Sequence, residues 1–282
     1  MKSSEIARRL ARARLRYGHG TRNSQEEALW LSKVKSKSKL QSILERRIRE
    51  RRPLAYLLKE AWLGEHRFYV DERVIVPRSF IAELLRERLR PWLARDPRRA
   101  LDLCTGSGCL AVLLSLTFPK ARVDASDISA DALQVARINV RKYRLGKRVR
   151  LVASNLFASL KSKTYDLIVC NPPYVPASAM RRLPKEYRYE PNVALAGGND
   201  GLILVRKIIS EARKHLKQDG LLICEIGGNR RALERACPRT GFAWPETSDP
   251  GTVFILERAQ LPRRARTAGA TRNPPRRGRA RR

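Results

Sequence analysis

The sequence predicts an α/β fold: a parallel sheet flanked by helices, preceded by a small helical domain and a hairpin linker. Three observations carry this. From Ala100 onward, β-like and helix-like runs alternate, the pattern of parallel strands joined by crossover helices. The first of those strands runs through Asp102-Leu103-Cys104 into a glycine-rich turn, Thr105-Gly106-Ser107-Gly108, that opens a helix at Cys109. A later apolar run, Tyr165–Cys170, ends at Asn171-Pro172-Pro173-Tyr174. Neither proline can donate to a sheet ladder, so a central strand stops there.

Residues 1–52 read as a basic helical domain, with 16 Lys and Arg against 5 Asp and Glu. Ile6, Leu10 and Leu15 recur near helical spacing and, with Glu5, fit a first structural helix better than an arginine-rich organellar presequence. Tyr17-Gly18-His19-Gly20-Thr21 reads as a loop, after which Thr21 or Asn23 is placed to cap the next helix. In residues 53–80, Pro53, Gly64 and Pro77 punctuate β-like runs, including Arg67–Val70 and Arg73–Val76, which is hairpin material linking two domains. A helix around Ile81–Arg90 should stop at Pro91. Across residues 81–260 strands are expected near Ala100–Cys104, Arg122–Ser126, Val149–Ala153, Tyr165–Cys170, Gly220–Ile226 and Thr252–Glu257. Helices are expected near Leu110–Leu116, Ala130–Tyr143, Gly201–Leu216 and Arg230–Ala236. Thr267–Arg282 carries Gly, Pro and Arg with no large apolar residue, so the tail over 261–282 is expected to be disordered.

Composition narrows the class. The 282 residues are 43% hydrophobic, enough for one sizeable core plus a smaller domain. No apolar stretch approaches the ~18 residues that span a bilayer, and the amino terminus lacks the apolar core of a secretory signal. A cytoplasmic protein with no membrane partner is expected. The five cysteines form no C-x-x-C pair and the three histidines lie far apart, so no metal site is expected. The net charge of +33 points to a polyanionic partner, most simply RNA or a ribonucleoprotein. Nine arginines in residues 261–282 account for nine of those charges, which leaves the body at +24.

The two punctuated strand ends carry chemistry. Ligands of open α/β sheets bind at the strands' carboxyl edge. There, Asn171 offers an amide, Pro172 a rigid carbonyl and Tyr174 an aromatic face, a set suited to a planar group bearing an NH2. Gly106 and Gly108 allow tight turning and close approach of a ligand. Their spacing lacks both the third glycine of a dinucleotide fingerprint and the Lys-Ser/Thr of a P-loop, so no phosphate cradle is evident. Asp127 closes the second strand, where a carboxylate can accept from a ribose diol; it also fits a helix start with Ser129 as cap. Asn155 follows the third strand at the same edge, where it can face an adenine ring or shape a loop.

Together these features resemble the Rossmann-like methyltransferases that use S-adenosyl-L-methionine (AdoMet). The resemblance implies that Asp102 with Thr105, Gly106, Ser107 and Gly108 faces the methionine part of the cofactor, Asp127 the ribose and Asn155 the adenine. It implies that Asn171, Pro172 and Tyr174 are catalytic, that Asn171 also borders the cofactor, and that Pro173 joins them in holding the substrate. N-P-P-Y enzymes methylate adenine, guanine and glutamine, so the motif names a planar nitrogen. The segments Leu183–Pro191 and Ala194–Gly201, with Arg206-Lys207-Ile208-Ile209, are similar to those of the protein-glutamine methyltransferases. Val76-Pro77-Arg78-Ser79, the Tyr17–Thr21 loop and L-P-K-E-Y resemble the branch that modifies large-subunit ribosomal protein L-three, over roughly residues 1–260.

That resemblance implies an acceptor glutamine on L-three, met on the assembling ribosome, with rRNA contacted through the basic amino-terminal domain and tail. The release-factor branch, or an N-P-P-Y enzyme acting on RNA or DNA bases, is the alternative. One departure is Asn155, where the family commonly has Asp. Glu190 and Tyr187 read as substrate-loop contacts or as plain surface residues. Arg78 reads as a ligand for the cofactor carboxylate or as a residue of the domain junction.

Overall fold

Ile6, Leu10 and Leu15 are all buried in the computed structural model, which describes residues 1–263. They belong to α1 (Ser3–Arg12) and the turn after it, and pack with α2 (Ser24–Leu31), α3 (Lys37–Arg49) and α4 (Leu54–Leu58) around an apolar cluster of their own. Asn23, not Thr21, caps α2: its side chain accepts from the Glu26 N–H.

The linker hairpin lies earlier than the β-like runs suggest. It is β1 (Ala61–Leu63) against β2 (His66–Phe68), with Ala61 opposite Phe68. Residues 73–76 pair with no strand, because side chains satisfy their backbone instead. The Tyr56 hydroxyl donates to the Val74 carbonyl at 2.6 Å, and the Val76 N–H donates to the Glu190 carboxylate at 3.0 Å. Val74 and Val76 are buried against Tyr56 and Val135, which holds this segment over the sheet edge. The next helix, α5 (Ile81–Arg86), closes four residues short of Arg90: Arg88 and Leu89 take left-handed φ of 53° and 57°.

The sheet follows in strict alternation. Its elements are β3 (Arg99–Leu103), α6 (Cys109–Thr117), β4 (Arg122–Asp127), α7 (Ala130–Lys142), β5 (Val149–Ala153) and β6 (Tyr165–Cys170). After these come the short α8 (Ala177–Met180), α9 (Ile203–Ala212), β7 (Leu216–Glu225), α10 (Arg230–Ala236) and β8 (Val253–Glu257). Burial of Leu216 beside Tyr165 draws the chain into the sheet before Gly220, so β7 starts early and α9 stops at Ala212. The strand order is β5-β4-β3-β6-β7-β8, parallel throughout except for β8 against β7. Neighbours along the parallel strands face opposite sides: Ala100, Leu167 and Val169 enter one core cluster, Leu101, Ile168 and Cys170 the other.

This order positions the site. From β3 the chain builds outward to β4 and β5, then returns to lay β6, β7 and β8 on the other side. The switch falls between β3 and β6, where a crevice opens beyond the strand ends. Leu103 pairs with Cys170, which sets the glycine turn and Asn171 side by side there. No helix among the described residues is long and apolar enough to cross a membrane. The arginine-rich tail expected to be disordered lies, from residue 264 on, outside the described residues.

Candidate functional site

Asp102, near the end of β3, is fully buried and braces the glycine turn from behind. Its carboxylate accepts from the Thr105 hydroxyl and, at 2.9 Å, from the Ala111 N–H. Burial pushes its carboxyl up to about 7, against the pull of those two bonds. Gly108 starts α6 with φ 77°, and a Cβ there would lie 3.0 Å from the Cβ of Ala136 on α7. Thr105, Gly106 and Ser107 line a cavity of about 530 Å³ at the crevice, whereas Asp102 and Gly108 stand behind its wall.

Asp127, the last residue of β4, faces that cavity and ties it together. One carboxylate oxygen accepts from the Gly106 N–H at 2.8 Å, the other from the Ser129 N–H at 2.9 Å. Ser129 in turn caps α7 through the Ala132 N–H at 3.1 Å. The helix start with Ser129 as cap is thus present, and the Asp127 carboxylate faces the cavity as well. Burial raises the Asp127 carboxyl despite both bonds. Asn155, past the end of β5, is exposed on the rim of the same cavity.

The far wall is Asn171-Pro172-Pro173-Tyr174. Pro173 lines the larger cavity; Pro172 and Tyr174 line a second of about 240 Å³; Asn171 borders both, as do Ile75, Arg78 and Ala194. The Asn171 Nδ2 donates to the Arg78 carbonyl at 3.2 Å. Only the NH2 end can donate to a carbonyl, so Oδ1 is the end left as an acceptor. The glycine-rich run Ala194–Gly201 acts as a backbone collar on this loop. The Val175 N–H donates to the Leu195 carbonyl and the Gly197 N–H to the Val175 carbonyl, both at 2.9 Å. Gly201 has φ 77°, and a Cβ there would clash with the Tyr174 carbonyl oxygen. That carbonyl also accepts from the Asn229 Nδ2 at 2.9 Å.

Three buried carboxylates near this wall escaped the sequence reading or were misplaced by it. Glu225, at the end of β7, accepts from the Ser79 hydroxyl at 2.7 Å and the Phe80 N–H at 3.0 Å, and stands 3.5 Å from the Tyr174 hydroxyl. An acid closing the apolar run Leu221–Cys224 was the available signal. Glu190, read as a loop contact or a surface residue, is buried and grips Arg78 through both guanidinium nitrogens at 2.6 and 2.5 Å. The Arg78 guanidinium is thus engaged by protein. Glu186 is buried as well, paired with Arg51 at 2.8 Å and accepting from the Arg16 N–H at 2.8 Å. Tyr187, between the two acids, lines the smaller cavity. The Leu183–Pro191 segment thereby fastens the amino-terminal helices to the site.

Burial pushes Glu225 up from 4.5 to about 7, even though its bonds to Ser79 and Phe80 favour the charged form. The folded state then holds a proton that the unfolded state has released between those two pH values, so this residue's contribution to stability falls as pH rises from about 4.5 to 7. Urea unfolding of Glu225→Gln should show a smaller loss of stability than wild type between pH 5 and 8. Parallel pH dependences would refute that assignment.

The family described as methyltransferase small domain matches residues 81–183. A "ribosomal protein uL3 glutamine methyltransferase" of Bordetella pertussis is 48% identical over 276 residues, covering 90% of this chain and 92% of the relative. A protein of the same name from Neisseria meningitidis is 48% identical over 275 residues, covering 90% of each. Among solved structures, the catalytic domain of hMettl16 in complex with hairpin 1 of the MAT2A 3'UTR superposes with a TM-score of 0.53 at 17% identity, over 90% of this chain and 89% of that one. A methyltransferase of Pyrococcus furiosus gives 0.50 at 18% identity, over 68% of this chain and 88% of that one. At these identities the structural likeness speaks to the fold alone.

Proposed function

The chain belongs to the family of ribosomal protein uL3 glutamine methyltransferases, and from that premise we propose that it transfers a methyl group from AdoMet to a glutamine side-chain amide of uL3, large-subunit ribosomal protein L-three. The observation that carries the reading is Asn171, standing between a cavity large enough for a nucleoside and a smaller one lined by Pro172 and Tyr174.

The larger cavity fits AdoMet in its donor set. Asp127 suits a ribose diol, and Thr105, Gly106 and Ser107 offer small side chains and close backbone for the methionine part. The cations on its wall are already engaged, Arg73 by Asp71 and Arg78 by Glu190, which leaves no cradle for phosphates and suits a phosphate-free nucleoside. Asn155, on the rim, suits the adenine.

AdoMet, when bound, supplies an electrophilic methyl group on a sulfonium. A glutamine amide is a weak nucleophile because its nitrogen lone pair is delocalised into the carbonyl. The protein's part is therefore positional and electrostatic. Asn171 Oδ1 and the Pro172 carbonyl each accept one hydrogen of the acceptor NH2, and Tyr174 flanks the amide plane. Positive charge grows on that nitrogen as it attacks, so the same two acceptors hold the transition state more tightly than the ground state. Orientation of this kind contributes on the order of 7–11 kcal/mol over a free encounter.

The deciding experiment is transfer from labelled AdoMet to three acceptors: uL3, free and in immature large subunits, a peptide-chain release factor, and total RNA. Tandem mass spectrometry then locates the methyl. A methyl on a uL3 glutamine, absent with Asn171→Ala, is the expected result; label on the release factor or RNA would overturn the acceptor.

The encounter takes place in the cytoplasm on the assembling large subunit, where the basic amino-terminal domain and the tail contact rRNA. Of the 16 Lys and Arg in residues 1–52, only Arg22, Arg46, Arg47, Arg51 and Arg52 are ion-paired among the described residues. Affinity for ribosomal precursors should therefore fall steeply with salt, by roughly 0.7–0.9 in log–log slope per phosphate neutralised. Salt-independent binding would remove rRNA from the account.

A further inference from the structure

We infer that Glu190 is a positioning residue for methyl transfer: through Arg78, it sets the orientation of the Asn171 amide. This rests on the reading of Asn171 as the group that orients the acceptor.

The geometry runs in one line. The Glu190 side chain is wholly shielded from solvent. It accepts from the Val76 N–H at 3.0 Å and from both terminal nitrogens of Arg78 at 2.6 and 2.5 Å. Arg78 Nη1 also donates to the Val76 carbonyl at 3.2 Å. Residues 76–78 have no sheet partner, and Pro77 has no N–H to give. Glu190 grips this segment at both ends, through the Val76 N–H and the Arg78 side chain, while Glu225 holds Ser79 and Phe80 just beyond it. The carbonyl it presents, that of Arg78, takes the Asn171 Nδ2. Glu190 is thus linked to the amide through a single residue, although the two lie in separate loops.

Energetics favour orientation over stability as the reason for such a pair. Removing two charges from water costs several kcal/mol per ion, and a buried ion pair is commonly no more stabilising than apolar packing of the same volume. A second consideration is charge. Arg78 borders both cavities, where an unpaired guanidinium would oppose positive charge growing on the acceptor nitrogen. Glu190 cancels it. His19 also lies near, its Nε2 3.8 Å from the Glu190 carboxylate, but burial lowers that ring to about 4, so it is neutral at pH 7 and Arg78 is the cation that Glu190 balances.

The clamp also meets the acceptor side. The Arg78 guanidinium lies 5.4 Å from the Tyr187 ring centre, and the His19 ring packs on that same tyrosine at 4.4 Å. An acceptor entering the smaller cavity therefore touches a ring that packs between the clamp and the amino-terminal domain.

The test uses the full chain labelled with 15N-asparagine, with the Asn171 side-chain amide signals identified by their loss in Asn171→Ala. In Glu190→Gln these signals should shift and broaden with and without AdoMet, and kcat toward uL3 should fall by on the order of 10²-fold, the scale of a misplacement of about 1 Å. AdoMet affinity by calorimetry should hold. Arg78→Lys keeps the charge pair but loses the two-pronged grip, so it should move the same signals with near wild-type thermal stability, and it carries the test if Glu190→Gln does not fold. Unmoved Asn171 signals in a folded variant overturn the inference. A wild type inert toward uL3 would sink the acceptor reading instead, leaving the amide signals to decide this one.

Discussion

Replacing Asn171 with alanine is expected to lower kcat by on the order of 10²–10³-fold, the scale seen when one transition-state hydrogen-bonding group is removed. AdoMet affinity should change little, because Thr105, Ser107 and Asp127, the polar groups of the larger cavity proposed to hold it, remain in place. The substitution removes the acceptor Oδ1 and also the donor that docks on the Arg78 carbonyl. Asn171→Asp separates these roles. It keeps oxygen acceptors but turns a carboxylate toward the Arg78 carbonyl, where only repulsion is available. If orientation governs the rate, the aspartate variant should be nearly as slow as the alanine one; if acceptor strength governs, it should be much faster. Steady-state kinetics with uL3 as acceptor decide. Wild-type kcat in Asn171→Ala would remove the residue from the mechanism.

The second large effect belongs to Asp127→Ala. The carboxylate accepts from Gly106 and Ser129 at once, so its loss frees the glycine turn from the start of α7 and deletes the group suited to a ribose diol. Hydrogen bonds to charged groups contribute roughly 1.5–3 kcal/mol each, so AdoMet affinity should weaken by about 10²-fold or more. Isothermal titration of AdoMet into wild type and variant measures it directly. Asp127→Asn should also bind poorly, since an amide has one oxygen for two N–H groups and its NH2 would face a donor. Undiminished binding in Asp127→Ala would place the ribose elsewhere.

The difference between what could and could not be read in advance is physical, and particular residues show it. Pro172 and Pro173 end a strand whatever surrounds them, because a missing N–H and a fixed φ are local facts. Gly106 and Gly108 mark a tight strand-to-helix turn in the same way, and Ile6 and Leu10 reveal a buried helix face by spacing alone, whereas Leu15 is buried from the turn after the helix. Those signals carried the fold class and most of the strands. They also named the residues that β3, β4, β5 and β6 deliver to one edge: Thr105, Gly106, Asp127, Asn155 and Asn171.

Three-dimensional contacts decided the rest. Nothing local separates Glu190 from any exposed loop acid; its partner Arg78 lies 112 positions earlier, and only folding brings them to 2.5 Å. Glu225 meets Ser79 across 146 positions for the same reason. Residues 73–76 have β-like composition but no ladder, because Tyr56 and Glu190 supply the hydrogen bonds a strand partner would have given. Nothing local shows that Asp102 is buried and takes hydrogen bonds from Thr105 and Ala111; the folded turn supplies both partners. Backbone constraints and hydrophobic period are short-range, so the chain shows most of its elements, and the chemistry brought to the sheet edge, without its fold. The orientation of Asn171 and the neutralisation of the charges around it come only with folding, since they depend on pairs that the chain keeps far apart until then.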